Sequence, residues 1–210
     1  MSRLTLALCL VLAATGVRGA SIEVRARDAS GMPVPDAAVY AIASSGATEA
    51  RSARATLEQA DREFVPYVSV IQQGTTVTFP NRDPILHHVY SFSPAKAFEI
   101  KLYTGKSPSE ILFDKSGVVT LGCNIHDWMI AYIVVVPTPH FARTDAAGVA
   151  RLRDLPAGSY EVRAWHPQQR AALVPHTLAL DASTNPTAGF IFDLVPRKPK
   201  FKPPFDRLKY

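Results

Sequence analysis

Residues 117–136 read GVVTLGCNIHDWMIAYIVVV. Two short runs rich in β-branched residues, GVVTLGC (117 to 123) and IAYIVVV (130 to 136), flank a polar stretch, and each reads as a strand. Inside that stretch one Cys, one His and one Met stand at strict three-residue intervals: Cys123, His126 and Met129. Thiolate, imidazole and thioether are soft or borderline ligands that suit copper, and a His₂Cys set with a weak axial Met describes electron-transfer copper sites. The loop supplies one ligand of each kind, so a second His has to come from elsewhere.

The segment DPILHHVYSF offers His87 and His88 at the start of another short strand. Adjacent residues of a strand face opposite sides, so only one of the pair can look toward the loop. Taken singly, each ligand has a plainer explanation: a buried Cys as a small hydrophobe, a His satisfied by a local hydrogen bond, a Met packing beside Ile130. Their joint occurrence favours a metal. A catalytic thiol, with Cys123 as nucleophile and His126 or His87 as base, is the competing chemistry, but no local thiol-hydrolase pattern surrounds it. Zinc is disfavoured, since Met is a poor zinc ligand and C-x-x-H alone is a weak zinc pattern.

Working outward, the 210-residue chain is punctuated by 17 Pro and 11 Gly and has no long stretch of helical period, so it reads as all-β. SIEVRARD (21 to 28) alternates Ile22, Val24 and Ala26 with polar neighbours and is followed, through a Gly/Pro link, by AAVYAIA (37 to 43), a hairpin pattern. Residues 44 to 63 are small and charged and read as a linker. FVPYVSVIQQGTTVTFPNRD, HHVYSF and AFEIKLY (97 to 103) continue the short-strand pattern. A third stretch runs RTDAAGVARLRDLPAGSYEVRAWHP, ALVPHTLAL and GFIFDLV, with Tyr160, Val162 and Ala164 on one face. Asp145, Asp154, Trp165 and His166 have structural roles in turns, core and strand end, and His140 and His176 fit no pattern.

The first twenty residues have the form of a secretory leader: Arg3, an apolar run from Leu4 to Ala14, then small residues near Gly19 and Ala20. That run is too short to span a bilayer, and none other approaches the length. Cleavage there removes Arg3, Arg18 and no acid, taking the formal charge from +5 to +3, too mild for a nucleic-acid binder. It also removes Cys9, leaving Cys123 as the single cysteine of an exported, periplasmic protein. The tail, 196 to 210, is basic and Pro-rich and reads as extended and solvated.

Residues 64 to 136, through FVPYVSVIQQGTTVTFPNRD, HHVYSF and GVVTLGCNIH, resemble the cupredoxin family, and the compact C-x-x-H-x-x-M loop is most similar to that of amicyanins. The resemblance implies a Greek-key sandwich over 60–136 and one type 1 copper held by His87, Cys123 and His126, with Met129 axial. It leaves His88, which stands where the family usually has Asn, as an alternative ligand or a neighbour of the site, with Asn124 as a backbone donor toward the Cys sulfur. The family's partner-docking patch would place His126 at an exposed edge between Ile125 and Trp128, facing a periplasmic redox protein. GMPVPDAAVYAI and ARTDAAGVARLRDLPAGSYEVRAWHP resemble the transthyretin-like, carboxypeptidase regulatory-like sandwich. Residues 21–50 and 137–195 would then form one split sandwich, with the cupredoxin stretch inserted. The whole chain is also similar to exported proteins labelled methylamine utilisation proteins. The implied function is one-electron transfer and not catalysis. The alternatives are copper delivery or storage, a structural binding module, or an accessory subunit to a copper or amine oxidase.

Overall fold

The computed structural model describes residues 19–46, 52–181 and 185–196. All regular elements among them are strands, as the punctuated sequence predicts. Most of the leader and the basic tail lie outside the described residues.

One pair of sheets draws on both ends of the chain. Val149–Leu155, Ala20–Asp28 and Thr187–Phe192 form a three-stranded sheet, and Phe141–Arg143, Ala38–Ala43, Gly158–Trp165 and His176–Leu180 a four-stranded one. Period-two alternation decides which side chains lie between them: Ile22, Val24 and Ala26 are sealed with Val39, Leu152, Leu155, Val162, Phe190 and Phe192. Glu23 and Arg25 point outward, where Glu23 pairs with Arg25 and Arg151. Ala20–Asp28 and Ala38–Ala43 do not form the hairpin their alternation predicts. The chain after Asp28 makes one antiparallel bridge, Arg27 to Pro33, then crosses to the facing sheet, so the two strands pack across the core.

The second pair comes from the middle of the chain. Val68–Gln72, Ile130–Val136, Gly117–Gly122, His87–Ser93 and Lys96–Tyr103 build a five-stranded mixed sheet, in which Val68–Gln72 runs parallel to Ile130–Val136. Glu110–Phe113, Thr75–Thr78 and Ala53–Thr56 form a three-stranded sheet. Phe79, Val89, Phe113, Val119, Leu121 and Ile133 fill the space between. Where the two pairs of sheets meet, Ala38, Val68, Val134 and Val136 are buried among Tyr40, Tyr67, Tyr132 and Trp165, so Trp165 is an interface residue.

Residues 52–63 are not the linker that their composition predicts. Residues 47–51 lie outside the described residues, but Ala53–Thr56 pairs in parallel with Thr75–Thr78, and Glu58–Ala60 with Glu63–Val65 makes a two-stranded ribbon. Leu57, Gln59 and Phe64 are buried. The stretch looks loose in sequence because Ala53, Arg54 and Thr56 are exposed on an edge strand and Leu57 is the one large apolar side chain within 44–63 that reaches the core.

Candidate metal centre

Gly117–Gly122 and Ile130–Val136 pair antiparallel up to Gly122 opposite Ile130, leaving seven residues, 123–129, to close the connection. The loop is tight, with the Met129 N–H donating to the His126 carbonyl at 2.9 Å. Its three-residue spacing becomes a burial pattern: Cys123, His126 and Met129 point inward, at 3%, 2% and 1% exposure, while Asn124, Ile125 and Asp127 are exposed. Cys123 and Met129 belong to the same core cluster and line one small depression with Tyr90 and Gly122.

His87 opens the neighbouring strand and is fully buried. Its Nδ1 lies 3.1 Å from His126 Nδ1, which lies 3.7 Å from Cys123 Sγ. One donor atom from each of the three residues falls within 4.8 Å of the others. His88 turns to the opposite face, where its Nε2 meets Glu99 Oε1 at 2.9 Å and its Nδ1 has no hydrogen-bond partner. The adjacent histidines are thus divided as a pleated strand requires, and only His87 joins the cluster.

Asp83 was not visible as a site residue in the sequence, yet it sets the state of His87. His87 Nε2 donates to Asp83 Oδ2 at 2.7 Å, leaving the Nδ1 lone pair free to face the cluster. The same carboxylate accepts the backbone N–H of Asp61 at 2.7 Å and of Arg62 at 2.8 Å. Burial pushes the Asp83 carboxyl up, but the hydrogen bonds from His87, Arg62 and Asp61 outweigh it and hold the group below the usual carboxylate value. Asn81 shapes the bend, its side-chain amide donating to the Ile85 and Tyr103 carbonyls and its oxygen accepting the Asp83 N–H. An Asp four residues before a His, next to a Pro turn, is the sequence signal that points to this contact.

His126 is not at an exposed edge. Its ring is covered by the Trp128 indole, with centroids 5.1 Å apart, and Trp128 is anchored by Nε1–H donating to the Arg62 carbonyl at 3.1 Å. Burial first, then the His87 and Arg62 charges, lower the His126 pKa against the opposing pull of Asp83. A neutral imidazole, the form that ligates metals, is therefore favoured. Ile125 is 40% exposed and, with Pro84, Ile85, Leu86, Leu102 and Thr104, lines an apolar cavity of about 450 Å³ that reaches His126. Among the described residues no hydrogen bond joins Asn124 to the Cys123 sulfur; Asn124 instead borders a depression shared with His88, Tyr90, Phe92 and Glu99.

The donor set is one thiol, two imidazoles with their Nδ1 atoms turned toward each other and one buried thioether from the same loop. Such a set fits a soft or borderline transition metal and not an oxygen-seeking cation.

Solved structures that the chain resembles in fold include cupredoxins. A reduced variant of amicyanin is 18% identical over 48% of this chain and 99% of its own, at a TM-score of 0.37. Amicyanin from Paracoccus versutus is 20% identical over 42% of this chain and 85% of its own, at 0.36. A purple cupredoxin from Nitrosopumilus maritimus is 23% identical over 40% and 99%, at 0.34. No protein family and no curated protein matches the chain.

Proposed function

We propose that the chain is an exported one-electron carrier with a single type 1 copper, held by His87, Cys123 and His126 with Met129 as the weak axial ligand. The observation that carries this reading is the convergence of two imidazole Nδ1 atoms and a thiol within 4.8 Å, all buried, beside a loop that also buries Met129. In this reading residues 60–136 are the cupredoxin domain, inserted into a regulatory-like sandwich formed by 21–50 and 137–195. The leader pattern of the first twenty residues supports a periplasmic location.

Copper bound there would supply a centre that alternates between two oxidation states with little change of geometry. The chain's own part is to arrange it. Strands pair on both sides of the 123–129 loop and hold Cys123 and Met129 in place, while the Asp83 hydrogen bond keeps the His87 Nδ1 lone pair directed inward. Burial excludes water from the thiol. The apolar cavity beside Ile125 is the route by which a redox partner would approach His126.

The test is the visible spectrum of the purified chain after addition of Cu(II). A strong thiolate-to-copper charge-transfer band is expected. Cys123→Ala and His87→Ala should abolish it, His88→Ala should leave it, and Met129→Leu should keep the colour while shifting the potential. Stoichiometric copper without that band would sink the proposal.

A further inference from the structure

We propose that the tip of the Glu58–Val65 hairpin is a clasp that positions both imidazoles of the site, and this rests on the copper reading above. The two-residue turn Asp61–Arg62 joins the paired strands Glu58–Ala60 and Glu63–Val65, and both turn residues have positive φ, 53° and 56°. That is the geometry of a type I′ turn, whose twist matches a tight hairpin. Arg is a rare occupant of this conformation, which Gly and Asn enter more easily. The turn holds nonetheless, and both of its N–H groups and the Arg62 carbonyl are engaged toward the site.

Two arms leave it. On one, the N–H groups of Asp61 and Arg62 donate to opposite oxygens of Asp83, and Asp83 receives His87 Nε2–H. On the other, the Arg62 carbonyl accepts the Trp128 indole N–H, and the indole covers His126. One turn therefore reaches each imidazole through a single intermediate side chain. Its three contacts toward Asp83 and Trp128 are main-chain groups, so the clasp acts through the backbone shape of the turn.

The chemistry at Asp83 is specific. Three N–H donors converge on two carboxylate oxygens, a set that only the ionised carboxylate satisfies in full. Oδ1 takes the Asp61 N–H alone, while Oδ2 takes both the Arg62 N–H and His87 Nε2–H, so Asp83→Asn can keep an oxygen on His87 by turning its NH₂ to Asp61. Asp83→Leu, of similar size, removes every acceptor. His87 then has no partner at Nε2, and its proton moves to Nδ1, where it points into the cluster toward His126 Nδ1, 3.1 Å away.

Nitrogen NMR of the copper-free full chain reads this directly. His87 should carry its proton on Nε2 in the wild type and shift toward the Nδ1–H tautomer in Asp83→Leu. Copper retention, measured by competition with bathocuproine disulfonate for Cu(I), should weaken roughly tenfold to a hundredfold in Asp83→Leu, the span typical of outer-shell partners. Trp128→Phe, which keeps a ring but loses the N–H, should weaken retention without changing the His87 tautomer. Asp61→Pro, whose ring forbids the positive φ and removes an N–H of the turn, should also weaken retention, whereas Asp61→Asn, suited to the same backbone shape, should behave as the wild type. The clasp is overturned if wild-type His87 carries its proton on Nδ1, if Asp83→Leu leaves the tautomer unchanged, or if Asp61→Pro retains copper as the wild type does. A chain whose copper gives no type 1 band would defeat the functional reading alone, because the tautomer is read without metal.

Discussion

The polar side chains buried with the core around Ile22, Val24, Leu152, Leu155, Phe190 and Phe192 are satisfied locally: the Tyr160 hydroxyl on the Pro156 carbonyl, Thr138 and Thr144 on main-chain carbonyls, and His166, beside Phe192, on the Gln168 N–H. The core around Phe79, Val89, Phe113, Leu121 and Ile133 has similar packing over most of its length but ends in Cys123, Met129 and two buried imidazoles. Burying an imidazole costs free energy unless its nitrogens are paired, so the two imidazoles brought together at the end of the second core are a heavier burden than the single His166 beside the first. Asp83 with the Asp61–Arg62 turn relieves part of it. The contrast separates positions chosen for packing from positions chosen for chemistry.

The largest effect should come from breaking the core that carries no ligand cluster. Phe192 is fully buried there, and Phe192→Ala removes a ring that the neighbouring strands cannot replace, at a cost of about 3–5 kcal/mol. Thermal unfolding should report that loss. Below the lowered melting temperature the variant should still develop the copper band, because the ligands belong to the other core; loss of the band in a folded variant would show that the two cores are not separable in this way.

Metal should act in the opposite sense and on the other core. A ligand that binds only the folded chain stabilises it by about 2.7 kcal/mol when present at a hundred times its dissociation constant. Copper is therefore expected to raise the melting temperature of the wild type and of Phe192→Ala alike. In Cys123→Ala the shift should shrink, with one ligand missing from the cluster. An undiminished shift in that variant would place the copper elsewhere.

These two tests bear on the parts of the molecule that the sequence shows unequally. Alternation in SIEVRARD and SYEVRAW revealed the strands and their inner faces, since one buried face forces a period of two. The Cys123, His126 and Met129 spacing, with the face rule applied to His87 and His88, brought the cluster within reach of sequence reasoning. The hairpin predicted for 21–43 did not form, because alternation tells which face is inward and not which strand is the neighbour. The Glu58–Val65 ribbon and its turn were hidden because their value lies in main-chain groups, which leave little trace in side-chain composition. The burial of His126 was missed for the same reason: it depends on an indole held by the carbonyl of a residue 66 positions away.

A smaller effect is expected where the two cores' difference narrows to a single methyl group. Gly122, immediately before Cys123, lies against Tyr90, and a Cβ there would stand 2.7 Å from the ring's Cζ and 2.8 Å from its hydroxyl oxygen. Gly122→Ala should cost about 1–3 kcal/mol as overpacking and disturb the strand end that carries the thiol, shifting the copper band. Tyr90→Val removes the ring and should restore both stability and spectrum in the double variant. If Tyr90→Val gives no rescue, the glycine serves the loop's backbone and not the ring.

The smallest effect belongs to the outer face of the apolar core, where no buried charge is at stake. Glu23 is held below the ordinary Glu value by hydrogen bonds from Arg25 and Arg151, against a small opposing contribution from desolvation. A carboxyl whose folded value lies below its unfolded one contributes stability that is present above the usual Glu range, near 4.3, and lost as the pH falls through the folded value. Because both arginines are exposed and solvent screens the pairs, the contribution is slight and should fade with added salt. Comparing the melting temperature of Glu23→Gln with that of the wild type between pH 7 and pH 3 should show a small deficit at neutral pH that closes in acid. A deficit that persisted at pH 3 would mean that Glu23 acts through packing and not through its charge.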